Sequence, residues 1–259
     1  MRGTRVRRAL VAATAAVATA TALLGSAPGT AAGPGGPAQD TDRAGQVRTI
    51  ATSRAGRPII ARLYGDPDAA VRLVVIGQMH GNEPGGRRVV DVLARRAVPA
   101  GVALWLIETL NPDGAAGGTR RNARGVDLNR NFSTRWQASP RGSVYWSGPR
   151  AASEPETRGV MRFLEAVRPT AVLSMHQAFD RIDITNPGAR TAGRLLARWM
   201  GERAAVVGCA GPCHGTMTQW VARRLGAIAI TVELDHRVSA READTAATAM
   251  LRLARWLGR

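Results

Sequence analysis

From Pro58 onward, apolar positions fall into short blocks that alternate between strand-like and helix-like patterns, without a repeat. Pro58 to Tyr64 reads as a strand, and Arg72 to Gly77 as a second whose run Leu73-Val74-Val75-Ile76 belongs to a buried one. Arg87 to Ala97 places Val89, Val90, Leu93 and Ala94 on one helical face. Val102 to Thr109 is the next strand, and Leu110 to Pro149 is then a long irregular stretch of the kind that usually carries function. Ser153-Glu154-Pro155-Glu156 has the form of a capping box and predicts a helix to about Val167. Thr170 to Met175 is a strand delivering His176. Ala189 to Arg203 and Thr216 to Leu225 read as helices, Ala227 to Glu233 as a strand, and Ala240 to Leu257 as a closing amphipathic helix. This alternation predicts an α/β three-layer sandwich with a mixed, mostly parallel central sheet flanked by helices.

The first residues belong to a different regime. Arg2, Arg5, Arg7 and Arg8 precede the uncharged Ala/Thr-rich run Ala9 to Leu24, and small residues around Thr30-Ala31-Ala32 offer a cleavage site. This predicts a signal peptide over 1–32 and hence an exported, bacterial envelope-associated or extracellular protein. Arg7-Arg8-Ala9-Leu10 is also a weak match to a twin-arginine signal. The run is short and weakly apolar for a membrane span, and no cysteine lies near the cleavage region to carry a lipid. Residues 33–46, rich in Gly and Pro, read as a flexible leader, leaving 47–259 as one catalytic-sized domain expected to be monomeric.

The formal charge is +17, from 36 basic and 19 acidic residues, and every basic side chain is arginine. With heavy alanine use, that is the mark of a GC-rich coding bias, so part of the charge carries no function. Aromatic residues make up only 4% and do not interleave with the arginines, which argues against a nucleic-acid surface. Attraction to an anionic cell envelope fits the charge better. The two cysteines, Cys209 and Cys213, predict one small disulfide loop in an exported chain.

Candidate chemistry begins at Gln78-Met79-His80-Gly81-Asn82-Glu83-Pro84-Gly85-Gly86, directly after a strand. A turn there can aim His80 and Glu83 at one point, and an imidazole with a carboxylate suits a borderline metal such as zinc. His80, His176 and Glu233 all fall at predicted strand ends, where α/β folds gather their sites. In the long loop, Asn111-Pro112-Asp113-Gly114 is a turn signal. Arg120 to Phe132 packs four arginines and three asparagines into 13 residues, with Val126 and Leu128 spaced to pin it to the core. Arginine forks suit planar carboxylates.

His80-x-x-Glu83, Asn111-Pro112-Asp113-Gly114, Gly125-Val126-Asp127-Leu128-Asn129-Arg130-Asn131-Phe132, Ser153-Glu154-Pro155-Glu156-Thr157 and Thr231-Val232-Glu233 occur in the order seen in the M14 zinc carboxypeptidases. The chain resembles that family over roughly residues 50 to 235, and within it the branch of murein peptide amidases that trim cell-wall peptides. The resemblance implies one Zn²⁺ per chain on His80, Glu83 and His176, with Glu233 as general base. It further implies that Arg120 steadies the oxyanion and that Asn129 with Arg130 grips the terminal carboxylate of a peptide substrate. Asp235 and His236 then lie outside the inner site, and Arg121 and Arg124 read as solvated or rim charges.

One departure bears on the substrate pocket. Many digestive-type members carry a tyrosine some twenty residues before the catalytic glutamate, whereas Tyr64 and Tyr145 are the only tyrosines here. His214 or a backbone group is the candidate substitute, unless the feature is absent as in the amidase branch. A wall from Val206 to Thr218, stapled by Cys209–Cys213 and followed by Arg223 and Arg224, would suit an acidic or dicarboxylic leaving residue such as diaminopimelate. Two other readings of the motifs are an aspartoacylase-like deacylase of N-acyl amino acids and a non-catalytic wall-binding protein. The export signal and the Asn-Pro-Asp-Gly turn weigh against the first, and the complete catalytic set against the second.

Overall fold

The computed structural model describes residues 45–207 and 213–259. The expected signal peptide, nearly all of the leader, and Cys209 lie outside the described residues; Cys213 is disulfide-bonded.

Three aliphatic runs set the architecture. β3 (Val71–Ile76), β4 (Val102–Ile107) and β5 (Ala171–Gln177) are buried on both faces along almost their whole length, as parallel strands between helical layers must be. Successive side chains point to opposite faces. Leu73 and Val75 therefore join one core with α1 (Gly85–Ala94), α4 (Arg190–Met200) and α6 (Ala240–Leu257). Val74 and Ile76 join the other with α3 (Pro155–Val167) and the short α5 (Met217–Trp220).

The sheet runs β1-β2-β4-β3-β5-β8-β6-β7. Its centre, β4-β3-β5-β8, is parallel, with β8 spanning Ile228–Leu234. β2 (Pro58–Gly65) runs antiparallel to β4 and to the edge strand β1 (Gln46–Thr52). On the far side β6 (Arg181–Asp183) opposes β8 and pairs in parallel with β7 (Arg203–Ala205). The expected mixed, mostly parallel sandwich is what forms.

Local expectations differ in four places. β1 carries no apolar periodicity because all of its residues are exposed or half-exposed at the edge, and three residues are too few for β6 or β7 to show any. Ser153 caps nothing: the cap position is Glu154, and Ser153 Oγ donates to the Glu154 carboxylate (2.8 Å would be typical; here 2.7 Å). Glu156, the other half of the expected box, accepts from the backbone N–H of Arg54 at 2.9 Å. A capping box does form at α6, between Ser239 and Glu242. The predicted Thr216–Leu225 helix is one α-turn running into a π-helical turn over Val221–Leu225.

The long loop is ordered by buried polar pairs. Asn131 Nδ2 donates to the carbonyl of Ser147 (2.7 Å), and Asn131 Oδ1 accepts from Glu154 N (3.1 Å). Arg124 reaches buried Glu154 at 3.5 Å, and Arg121 donates to the carbonyls of Gly142 and Ser143. Both arginines help tie the loop down while staying partly or largely in solvent, and neither lines the cleft, in keeping with the expected non-catalytic surface charges. Asn111 turns its motif into a helical cap, accepting from Gly114 N at 2.9 Å at the start of α2 (Pro112–Gly117). Asp113 accepts from Ser53 Oγ, Arg57 Nη1 and Ala55 N, which ties the β1–β2 turn to α2.

Candidate metal centre

β3, β5 and β8 lie near one another in the sheet, β3 beside β5 and β5 beside β8, so their carboxyl ends open on one crevice. The chain leaves β3 through a turn at 77–84 held by Gln78 Nε2 on the Gly81 carbonyl (2.8 Å) and Glu83 N on the His80 carbonyl (3.0 Å). Gly81 is required here: a Cβ would fall 1.9 Å from the Gly114 carbonyl carbon. The His-Gly-Asn-Glu turn and the Asn-Pro-Asp-Gly turn are thus packed backbone to backbone.

That turn and the end of β5 bring His80, Glu83 and His176 together, all three buried, with their donor atoms within 4.8 Å of one another. His80 Nδ1 lies 2.8 Å from Glu83 Oε1, His176 Nδ1 3.1 Å from Glu83 Oε2, and the two Nδ1 atoms 3.2 Å apart. The other ring nitrogens are occupied: His80 Nε2 by Asp127 Oδ1 (3.1 Å), His176 Nε2 by Ser174 Oγ (3.2 Å). With Nε2 of His80 committed to a carboxylate acceptor, its Nδ1 lone pair is directed at a second carboxylate and a second imidazole. Such a convergence of acceptors is stable only around a proton or a cation. Two imidazoles and one carboxylate, each ring oriented from behind, are the donor set that zinc takes.

The electrostatics agree. Burial disfavours the His80 cation, but Asp127 and Glu83 on either side outweigh it and raise its pKa. Burial likewise opposes ionisation of Glu83 and Asp127; His80 overrides it, holding both carboxyls well below the usual range. Asp127, fully buried, also accepts from Arg120 Nε (3.0 Å) and Asn129 N (2.9 Å). It links a metal-site imidazole, a cleft arginine and the turn that carries Asn129 and Arg130. The sequence motif contains Asp127, but nothing in the spacing distinguishes it from its neighbours.

Glu233 pairs with His176 in the parallel β5–β8 register, so both project from the same face at adjacent positions. Burial pushes its carboxyl pKa up; His176 acts against this, and the Glu83 charge adds to it. Its Oε2 is buried with no hydrogen-bond partner among the described residues. Glu233 shares an open cleft with His80, Glu83, His176, Arg120, Asn129 and Arg130.

Arg120 is held beside Glu83 at 3.4 Å, and Asn129 Oδ1 accepts from Met217 N at 3.0 Å. Buried Arg130 donates Nη1 to the Asn129 carbonyl (2.9 Å) and has an Nε without a partner among the described residues. Both guanidinium groups lie over the ring of Tyr145, at 5.3 and 5.4 Å. Tyr145 thus meets two cleft arginines from a remote place in the chain.

His214 is buried and does not line the cleft. Burial, followed by the Arg130 charge, lowers its pKa, and its Nδ1 has no partner among the described residues. Its neighbours Cys213 and Thr216 line the cleft instead, so His214 is not placed on the wall expected to contact substrate. Arg223 and Arg224 are also absent from the lining, and Arg224 faces Glu165 across an exposed 3.7 Å contact. The arginines of the cleft are Arg120 and Arg130, not the expected Arg223 and Arg224.

The zinc carboxypeptidase family model matches residues 38–182. Murein peptide amidase A of Escherichia coli (strain K12) is 29% identical over 195 residues, covering 71% of this chain and 79% of that protein. The crystal structure of murein-tripeptide amidase from Escherichia coli O157 superposes with a TM-score of 0.68 at 27% identity, over 81% of this chain and 92% of that one. Carboxypeptidase A from Helicoverpa armigera has the same fold, with a TM-score of 0.71 at 16% identity over 84% of this chain and 69% of that one. With more than half of its length matched by the family model, this chain belongs to the zinc carboxypeptidases.

Proposed function

We propose that this zinc metallohydrolase is an exported carboxypeptidase. It would hold one zinc ion on His80, Glu83 and His176 and release the C-terminal residue of murein peptides. The convergence of two Nδ1 atoms and a carboxylate beside Glu233 carries the reading. Likeness to the murein peptide amidases supports the substrate class, and the signal pattern at 1–32 supports export.

When bound, the ion supplies Lewis acidity toward a carbonyl oxygen and toward water. The chain's own residues do the rest. Glu233, its pKa raised by burial and its Oε2 unpartnered, takes a proton from water and passes it to the departing amine nitrogen. Arg120, fixed by Asp127, presents its guanidinium to the carbonyl oxygen as negative charge develops there. Asn129 and Arg130 hold the substrate's terminal carboxylate; the Arg130 guanidinium and the Asn129 amide nitrogen, whose Oδ1 is taken by Met217 N, are donors for it. Asp127 and Ser174 keep the imidazoles oriented.

The test is hydrolysis of matched peptides ending in a free carboxylate or an amide, with and without a chelator. The expected result is one zinc per chain, loss of activity on chelation, and cleavage of the amide roughly 10- to 100-fold slower. Equal turnover of acid and amide would point to an endopeptidase or deacylase.

A further inference from the structure

The cleft contains a carboxylate that this mechanism does not use. Asp183 ends β6, which runs antiparallel to β8 with Asp183 opposite Thr231 and Arg181 opposite Glu233. Across β8, Thr231 pairs with Ser174 and Glu233 with His176. Ser174, Thr231 and Asp183 therefore form a row on the same sheet face as His176 and Glu233, one row further from the strand ends. Both Thr231 and Asp183 line the cleft. From Glu233 to Asp183 is two residues along a strand and one strand across, about 6.8 Å and about 4.8 Å, or about 8 Å between α-carbons. A side chain of lysine or ornithine length bridges that interval; one of alanine or serine length does not.

The hydrogen bonds of Asp183 are one-sided. Oδ1 accepts from Thr185 N (2.8 Å), Thr185 Oγ1 (2.5 Å) and Val207 N (3.2 Å). No donor reaches Oδ2 among the described residues. Among these residues the carboxylate is fixed in place by one oxygen and offers the other. Thr231 lies opposite it across β6 and β8, Thr185 and Val207 hydrogen-bond to it, and all three line the cleft together with Asn186. Asn186 donates its Nδ2 to the Ala229 carbonyl at 3.2 Å and so keeps its own side-chain oxygen as an acceptor. The cleft cations Arg120 and Arg130 are engaged elsewhere, Arg120 with Glu83 and Asp127 and Arg130 with the Asn129 carbonyl.

We infer that Asp183 selects the leaving residue, favouring one whose side chain ends in an ammonium group. This rests on the carboxypeptidase reading above. An ammonium is a point charge with three donors, matched by one free carboxylate oxygen and nearby hydroxyl or amide oxygens. A guanidinium would need two parallel acceptors, and Oδ1 is already saturated, so arginine is the poorer fit. A side-chain carboxylate would meet the Asp183 charge, and Arg181, on the same face of β6, gives its Nε to the Phe179 carbonyl (2.8 Å) and does not line the cleft. The dicarboxylic preference expected from Arg223 and Arg224 is replaced by preference for a cation.

The experiment compares release of C-terminal lysine, Nε-acetyl-lysine, norleucine and arginine from two peptide series, one α-linked and one linked through the γ-carboxyl of D-glutamate. The wild type is expected to favour lysine over norleucine and acetyl-lysine by about 10- to 100-fold in kcat/KM. Asp183→Asn retains an Oδ1 acceptor for Thr185 and Val207, so its melting temperature serves as the folding control. In that variant the lysine-to-norleucine ratio should collapse toward one. Equal rates for lysine and norleucine in the wild type, or a ratio unchanged in Asp183→Asn, would overturn the role of Asp183 and leave the carboxypeptidase reading standing. Release of no residue from either series would overturn that reading, and this inference with it.

Discussion

Asp127 is the group whose removal separates this account of the site from a simple list of ligands. Its Oδ1 accepts from His80 Nε2 (3.1 Å) and Asn129 N (2.9 Å), and its Oδ2 from Arg120 Nη2 (2.9 Å). Asp127→Ala leaves His80 Nε2 and the Asn129 N–H without this acceptor, and Arg120 with its 3.4 Å contact to Glu83. Arg120 is 25% exposed and can turn to water, but His80 is only 2% exposed and the Asn129 N–H faces the same buried site. At about 1–3 kcal/mol for each buried donor left unsatisfied, the cost is about 2–6 kcal/mol. For a chain of this size, that is a fall in melting temperature on the order of 10 °C. Zinc affinity should fall about 10- to 100-fold, because nothing then fixes the tautomer and orientation of His80.

Asp127→Asn divides the effect. The amide oxygen can still accept from His80 and Asn129, but its nitrogen now faces the Arg120 guanidinium. This variant should melt near the wild-type temperature and keep most of its zinc affinity, while kcat falls through displacement of Arg120. Competition titration against a chromophoric zinc chelator, together with calorimetry in the presence and absence of EDTA, measures both quantities. An Asp127→Ala protein that binds zinc like the wild type and melts within a degree of it would refute the reasoning.

Glu233→Gln should retain zinc while kcat falls about 10²- to 10⁴-fold; loss of the metal by elemental analysis would make Glu233 a ligand. Gly81→Ala would press a Cβ to 1.9 Å from the Gly114 carbonyl carbon and 2.3 Å from Ala115 N. Because backbone cannot yield as a side chain does, a destabilisation of about 3 kcal/mol with weakened zinc binding is expected, and an unchanged denaturation midpoint would exclude the close approach. Burial, the Asp180 hydrogen bond and charge, and the charges of Glu242 and Asp235 raise Glu202 to about 7. A raised carboxyl favours the folded state while protonated, so its contribution is full below the unfolded value near 4.5 and is lost as pH rises through about 7. Melting temperature should therefore decline over that window in the wild type and be flatter in Glu202→Gln; parallel curves would remove Glu202 as the cause.

The central strands were legible because they are buried twice over. Val71–Ile76 and Val102–Ile107 need aliphatic residues on both faces, so they form runs that no surface element imitates. His80 and Glu83 were legible for a related reason: they lie three apart on a turn whose start is marked by the end of such a run. The adjacency of His176 and Glu233 was not. Each could be placed at a strand end, but that the two strands are neighbours is decided by how helices pack on the sheet, and no local pattern encodes it.

Charge was the least legible property, and the arginines show why. Arg121 spends its donors on two carbonyls, Arg124 meets buried Glu154, Arg130 is buried over Tyr145, and Arg224 faces Glu165 in solvent. These side chains are chemically identical, so their fates depend on where acceptors lie in space. The expected box at Ser153 fails on the same ground, since Glu156 is drawn to Arg54 N across the fold. A carboxylate such as Asp127 or Asp183 has one signature in sequence whether it orients an imidazole, faces a substrate or points to water. What separates the two here is saturation. Both oxygens of Asp127 are taken, by His80, Asn129 and Arg120, which makes it part of the frame. Among the described residues, three donors crowd a single oxygen of Asp183 and none reaches the other, which is the ground for assigning it to a ligand.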